Sequence, residues 1–194
     1  MKTIFSAGVV FLALAAGVAL SQDKGGKGGG GRGPQGPGLT LTSPDVEDGA
    51  VIAEKFSMRA NGTSPKLDWT HVPDGTQSFI VLFHDPDVSM QKKLDDVTHW
   101  MIFNIPGTAT GLAAGAAADA KLADGSIQIK NTMGRVGYTG PGMGAAGPYH
   151  HYTFELYALD TKLDLTDAAG RADVLKAADG HILAKAVLAG RYHQ

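Results

Sequence analysis

A mainly β domain with a few helices is predicted over residues 39–194, on three observations. Short apolar runs separated by turn residues begin at Leu39, the pattern of a sheet-rich chain. The run Tyr149–Leu159 alternates between two faces, as a half-buried strand does. A helical spacing is convincing only at the end, in Asp167–Ala189. At 194 residues with 43% hydrophobic content, the chain can supply one sizeable core plus a tail, whereas two full domains would be cramped.

Taken in order, residues 1–21 read as a secretory signal: Lys2 is the charged start, Ala7–Leu20 the apolar run, and Ala19-Leu20-Ser21 the small residues before a cleavage site. The expected location is therefore exported, periplasmic or secreted. Residues 22–38, with GGKGGGG and GPQGPG, have no apolar side chain to join a core and read as a flexible linker. Phe79–Phe83 and Trp100–Ile105 are apolar runs bounded by Pro, Asp, Asn or Gly, and predict buried strands. The alanine-rich Ala109–Ala123 could be helix or loop. In Tyr149–Leu159, Tyr152, Phe154, Leu156 and Ala158 share one face, while His151, Thr153, Glu155 and Tyr157 share the other. For the last segment, Thr166 can cap a helix and Val174, Leu175, Ile182, Leu183 and Val187 supply its apolar positions. Gly180 would divide that segment into two short helices.

Charge and cysteine usage exclude several functions. Seventeen basic residues against 19 acidic ones leave a net charge of -2, so no global field draws the protein to nucleic acid or to an anionic membrane. Any anion must be held locally. With no cysteine, there is no disulfide framework, thiolate nucleophile or zinc–thiolate site.

Three segments carry candidate chemistry. In His84-Asp85-Pro86-Asp87, Pro86 biases Asp85 toward an extended conformation and leaves both carboxylates at a strand end. Read alone, Asp85 and Asp87 are equally good turn formers. His99-Trp100 opens the next buried run; alone, His99 reads as a structural histidine and Trp100 as core. The third is Tyr138-Thr139-Gly140-Pro141-Gly142-Met143-Gly144, leading into His150-His151-Tyr152. Glycine lets a backbone approach a ligand closely and turn N–H groups toward an anion. No GK[ST] follows, so this is not a nucleotide phosphate loop. Strand parity places His150 with Tyr152 and sends His151 outward. Two carboxylates, two imidazoles, a phenol and glycine N–H groups can together hold a phosphate without arginine or lysine.

These residues, in their order, resemble the phosphatidylethanolamine-binding protein family, specifically its bacterial Raf-kinase-inhibitor-like branch. Ser64-Pro65-Lys66-Leu67-Asp68-Trp69, Asp85-Pro86-Asp87, His99-Trp100, Asn131, Gly140-Pro141, His150, Tyr152 and Tyr157-Ala158-Leu159-Asp160 carry the likeness, which spans residues 41–192. The resemblance implies an antiparallel two-sheet, β-sandwich-like domain with carboxy-terminal helices near the pocket. It implies a ligand or anion pocket at Asp85, Asp87, His99, Gly140, Pro141, His150 and Tyr152. Here His151 stands where the family commonly has arginine, and Gly142-Met143-Gly144 replaces the usual continuation of the glycine–proline turn.

The expected function is a non-enzymatic binding or regulatory protein with no cofactor, whose partners are a small phosphorylated or anionic ligand and a protein. No nucleic acid is expected, and membrane contact only through a headgroup or the tail. Two alternatives are an exported protease inhibitor or protein-interaction module, and a hydrolase using His99 or His150 as base with Asp85 orienting it. His84, Asp85, Asp87, His99, His150 and His151 offer metal ligands in number, but no HExxH or HxH pair fixes them, and no metal site is expected.

Overall fold

The computed structural model describes residues 37–60, 62–89, 92, 94–142 and 147–193. The segment read as a signal, the expected linker up to residue 36, and Met143 and Gly144 lie outside the described residues. Eight strands and one helix follow in chain order: β1 (Thr40–Thr42), β2 (Leu67–Thr70), β3 (Ser78–Asp85), β4 (Val97–Pro106), β5 (Gly111–Leu112), β6 (Ile127–Gln128), β7 (His150–Leu159), α1 (Arg171–Ala178) and β8 (Ile182–Tyr192). Two 3-10 turns, Glu54–Phe56 and Met58–Ala60, sit between β1 and β2.

The strands form two antiparallel sheets, one of three strands in the order β1-β2-β5 and one of five in the order β6-β4-β3-β7-β8. Central β3 is buried at every position, which accounts for its unbroken apolar run. Its odd residues Phe79, Val81 and Phe83 join Trp69, Trp100, Tyr152, Phe154 and Leu156 in the larger core. Its even residues Ile80 and Leu82 join Met101, Phe103, Tyr157, Leu159 and Val174 of α1 in a second core on the opposite face. Strand β7 divides as its alternation predicts, with Tyr152, Phe154, Leu156 and Ala158 in the first cluster. The rings of Phe83 and Phe154, partners in register, stack 4.1 Å apart. The Ala109–Ala123 segment contains no helix, only β5 and loop.

The carboxy-terminal helices are corrected by the structure. Helix ends at Ala178, Gly180 turns the chain at φ +83°, and Ile182–Tyr192 is a strand paired with β7 along its length. Alanine hides the reason: Ala184, Ala186 and Leu188 occupy alternate positions against the larger core, a period of two written in a residue of high helix propensity. The ten-residue edge of β7 supplies the partner, and tertiary pairing overrides local preference. Thr166 caps no helix. Its hydroxyl accepts the Ala168 N–H in a turn, while α1 starts after Gly170, whose N–H is accepted by Asp173 Oδ2 at 2.9 Å. Since Val174 and Ala178 pack into the second core, α1 lies on the face of the sheet away from Tyr152 and Phe83. The chain beside His150 is strand: Tyr192 is its register partner.

Candidate functional site

The site lies where β3 ends and β7 begins, brought together by their antiparallel pairing. Asp85 shares the face of Phe83, and His150 the face of Tyr152. Asp85 Oδ2 meets His150 Nδ1 at 2.7 Å, and the two residues are 2% and 8% exposed. The other oxygen, Asp85 Oδ1, accepts the Asp87 N–H at 3.0 Å, so one aspartate both forms the turn and holds His150. His150 Nε2 has no protein partner among the described residues.

Asp87 stands beside them but faces outward in part. Its Oδ2 accepts the His151 N–H at 2.7 Å and lies 2.9 Å from His151 Nδ1. That backbone N–H is the main reason its carboxyl is held below the usual carboxylate range. His151 is exposed, as parity predicts, yet it anchors a pocket residue, which parity does not reveal. His84, next to Asp85, points to the opposite face, with Asp96 2.8 Å from its Nδ1 and Glu155 3.4 Å from its Nε2. It takes no part in the pocket.

His99 reaches the site through a β-bulge. Phe83 pairs with Trp100 while His84 pairs with Thr98, leaving His99 as an extra residue on β4. Its ring is thereby set against Phe83 at 5.5 Å and edge-on to Tyr152 at 5.3 Å. Nδ1 lies 3.0 Å from the Thr139 carbonyl, which can only accept, so this nitrogen carries the ring proton. Burial holds the His99 pKa below its usual value, outweighing the raising effects of the Thr139 carbonyl and the Asp85 charge. Asn131 locks the arrangement, donating to the His99 carbonyl at 3.1 Å and to Thr139 Oγ1 at 2.8 Å.

The glycine loop is held from behind. A Cβ on Gly140 would sit 1.9 Å from the Phe56 carbonyl oxygen, so the close approach that requires glycine here is to the chain itself. The Pro141 carbonyl accepts the Met58 N–H at 3.0 Å, and Tyr138 OH donates to the Phe56 carbonyl at 3.1 Å. The Tyr138 ring stacks on Phe83 at 5.3 Å, and burial pushes its phenol up. Gly142 N–H donates to Tyr152 OH at 3.4 Å, tying the loop to β7. Tyr152 itself is 1% exposed and belongs to the core. Behind it, Tyr192 OH donates to Glu54 Oε2 at 2.6 Å, and the Glu54 Oε1 accepts the Ser57 hydroxyl at 3.1 Å.

The seven expected residues fall into three sets by the contacts they make. Asp85, His150 and Asp87 form the polar centre and are the one group among the described residues whose carboxylate and imidazole atoms lie within 4.8 Å of one another. His99 and Tyr152 form the aromatic wall, and Gly140-Pro141 the braced loop. Met58, Tyr192 and Glu54 escaped sequence reading; they lie far from the pocket residues along the chain, and only folding brings them near.

Two antiparallel sheets, of three and five strands, define a mainly β, β-sandwich-like domain. The chain belongs to the phosphatidylethanolamine-binding protein family, whose model it matches over residues 42–193. It is 38% identical over 156 residues to a UPF0098 protein of Methanothermobacter thermautotrophicus, covering 80% of this chain and 99% of the relative. Among solved structures, the Chlamydia trachomatis homologue superposes with a TM-score of 0.70 at 33% identity, covering 81% of this chain and 98% of that one. Escherichia coli YbcL superposes with a TM-score of 0.72 at 30% identity, covering 81% and 99%.

Proposed function

We propose that the protein is a non-enzymatic binding or regulatory protein, exported from the cell, whose pocket at Asp85, Asp87, His99, Gly140, Pro141, His150 and Tyr152 takes a small anion such as a phosphorylated headgroup or metabolite. The observation that carries this reading is the buried Asp85–His150 pair at 2.7 Å. A carboxylate on Nδ1 orients the imidazole and takes its Nδ1 side, leaving Nε2 to face a phosphate oxygen. His99 is a packing and shape element in this scheme, since its Nδ1 proton is already given to Thr139. The aromatic wall and the braced loop would set the size of the ligand.

The Asp85–His150 pair also has the form of an oriented general base, which keeps the hydrolase reading as the second one. Native mass spectrometry of the protein purified from its own host, with His150→Gln as control, tests the first reading. A co-purifying phosphorylated species lost in the variant is the expected result. Pocket-dependent turnover of ester or phosphoester substrates would instead promote the hydrolase.

A further inference from the structure

Strand β8 ends the five-stranded sheet, and only part of its outer edge is used. Over its last residues the chain covers that edge itself. The Ala189 carbonyl accepts the Gly49 N–H at 2.7 Å, and the Ala189 N–H reaches Asp48 Oδ1 at 2.9 Å. Arg191 exchanges backbone bonds with Ala50 and Ile52, both at 2.8 Å. Ala189 and Arg191 therefore turn N–H and C=O away from β7, and strand alternation gives Val187 and Lys185 the same orientation. Among the described residues, no backbone group pairs with the outer edge over residues 182–188.

That stretch is apolar as well as open: Ile182, Leu183 and Val187 are 40%, 41% and 53% exposed. Another strand can add to such an edge unless something blocks it, and lysine is a common block. Here Lys185 Nζ lies 4.6 Å from the ring centroid of Tyr157, its register partner on β7, so the side chain leans inward across the sheet and leaves the edge clear. Its charge has no carboxylate partner among the described residues, where the paired lysines and arginines are Lys55, Lys66 and Arg171. Glu155, one register pair away, is held by His84 and the Tyr157 hydroxyl. We propose that β8 takes an extended segment of a second protein as a sixth strand over residues 182–188. An acidic residue of that segment would face Lys185, and an apolar residue two positions away would pack on Val187. A second copy of this chain fits less well. Antiparallel pairing over the whole open edge would set Lys185 directly opposite its own copy, a like-charge pair. The edge is separate from the anion pocket, and the inference does not rest on that reading.

The test titrates the full, 15N-labelled chain with the acetylated and amidated peptide Thr-Ile-Thr-Glu-Thr-Val-Thr, and with a twin carrying Lys in place of Glu. Saturable amide shifts centred on Lys185 and Val187 are expected, with the lysine twin at least tenfold weaker. Val187→Pro removes an outward N–H that pairing with β7 does not use, a change an edge strand tolerates, and should weaken binding tenfold or more. Lys185→Glu leaves the backbone edge intact and should reverse the preference toward the lysine twin, which decides the matter even if the proline variant fails to fold. No saturable shift, equal affinity for the two peptides, or undiminished binding by folded Val187→Pro overturns the proposal. So does a dimer in sedimentation velocity that Val187→Pro abolishes, since the edge would then belong to a second copy.

Discussion

Two buried histidines of opposite character make the residue-scale chemistry testable by pH. Burial alone would lower the pKa of His84, but Glu155 and Asp96 outweigh it and raise it above 6.5. Arg171 grips the same Asp96, tying α1 to the back of the sheet. A histidine whose pKa is raised on folding contributes stability that is complete below 6.5 and is lost as pH rises through the folded value. His99 has the reverse sign: its pKa is lowered on folding, so its burial costs stability as pH falls below 6.5. The two slopes oppose each other in the unsubstituted protein. Urea denaturation of His84→Gln between about pH 5 and 8 should therefore expose the His99 slope, with stability rising with pH more steeply than in the parent. His99→Gln should show the opposite change; identical slopes in all three proteins would refute both assignments. Glu155 extends the pattern to acid, because the His84 contact lowers its pKa from 4.5 to about 2. Its contribution is present above 4.5 and is lost as pH falls toward 2.

At the scale of elements, the glycine loop depends on the 3-10 segment behind it. Gly140 and Gly142 resist a side chain for different reasons. The Gly140 obstacle is backbone, the Phe56 carbonyl at 1.9 Å, whereas that of Gly142 is the Met58 sulfur at 2.4 Å, the end of a flexible side chain. Gly140→Ala should cost about 3 kcal/mol in urea denaturation, and Gly142→Ala about 1 kcal/mol or less. Equal losses would mean that Phe56–Met58 yields as easily as a thioether. Neither contact can be read in sequence, since Phe56 and Gly140 are distant in the chain. What could be read was periodic. The burial of β3 and the two faces of β7 followed from apolar runs and alternation, and the latter placed His150 and Tyr152 on one face. Two irregularities defeated that reasoning. The β4 bulge turns His99 onto the face of Trp100, where strict alternation would separate them. Strand β8 hides a period of two among alanines, and pairing with β7 overrides the helical spacing that its own residues suggest.

The whole molecule places its polar site against its own hydrophobic centre. Phe83 stacks on Phe154 and Tyr138 and touches the His99 and Tyr152 rings, so the larger core continues without a break to the candidate site residues. Just beyond Phe83 on the same face comes Asp85, a carboxylate 2% exposed. A charge in that position is tolerated because His150 meets it, and removing the partner leaves it buried without compensation. His150→Ala should therefore destabilise the protein by about 3 kcal/mol, a large share of a typical domain stability of about 5–15 kcal/mol. Asp85→Asn removes the charge instead and should cost less. If the two residues act as one unit, adding Asp85→Asn to His150→Ala should recover part of the loss, with a coupling of about 1–3 kcal/mol in a double-mutant cycle. Strict additivity would mean that water satisfies Asp85 once the imidazole is gone, and that core and pocket are energetically separate. Coupling would mean that the buried Asp85 carboxylate and its His150 partner stand or fall together at this strand end. Binding measurements on His150 variants then belong well below the unfolding midpoint, where loss of ligand can be told apart from loss of fold.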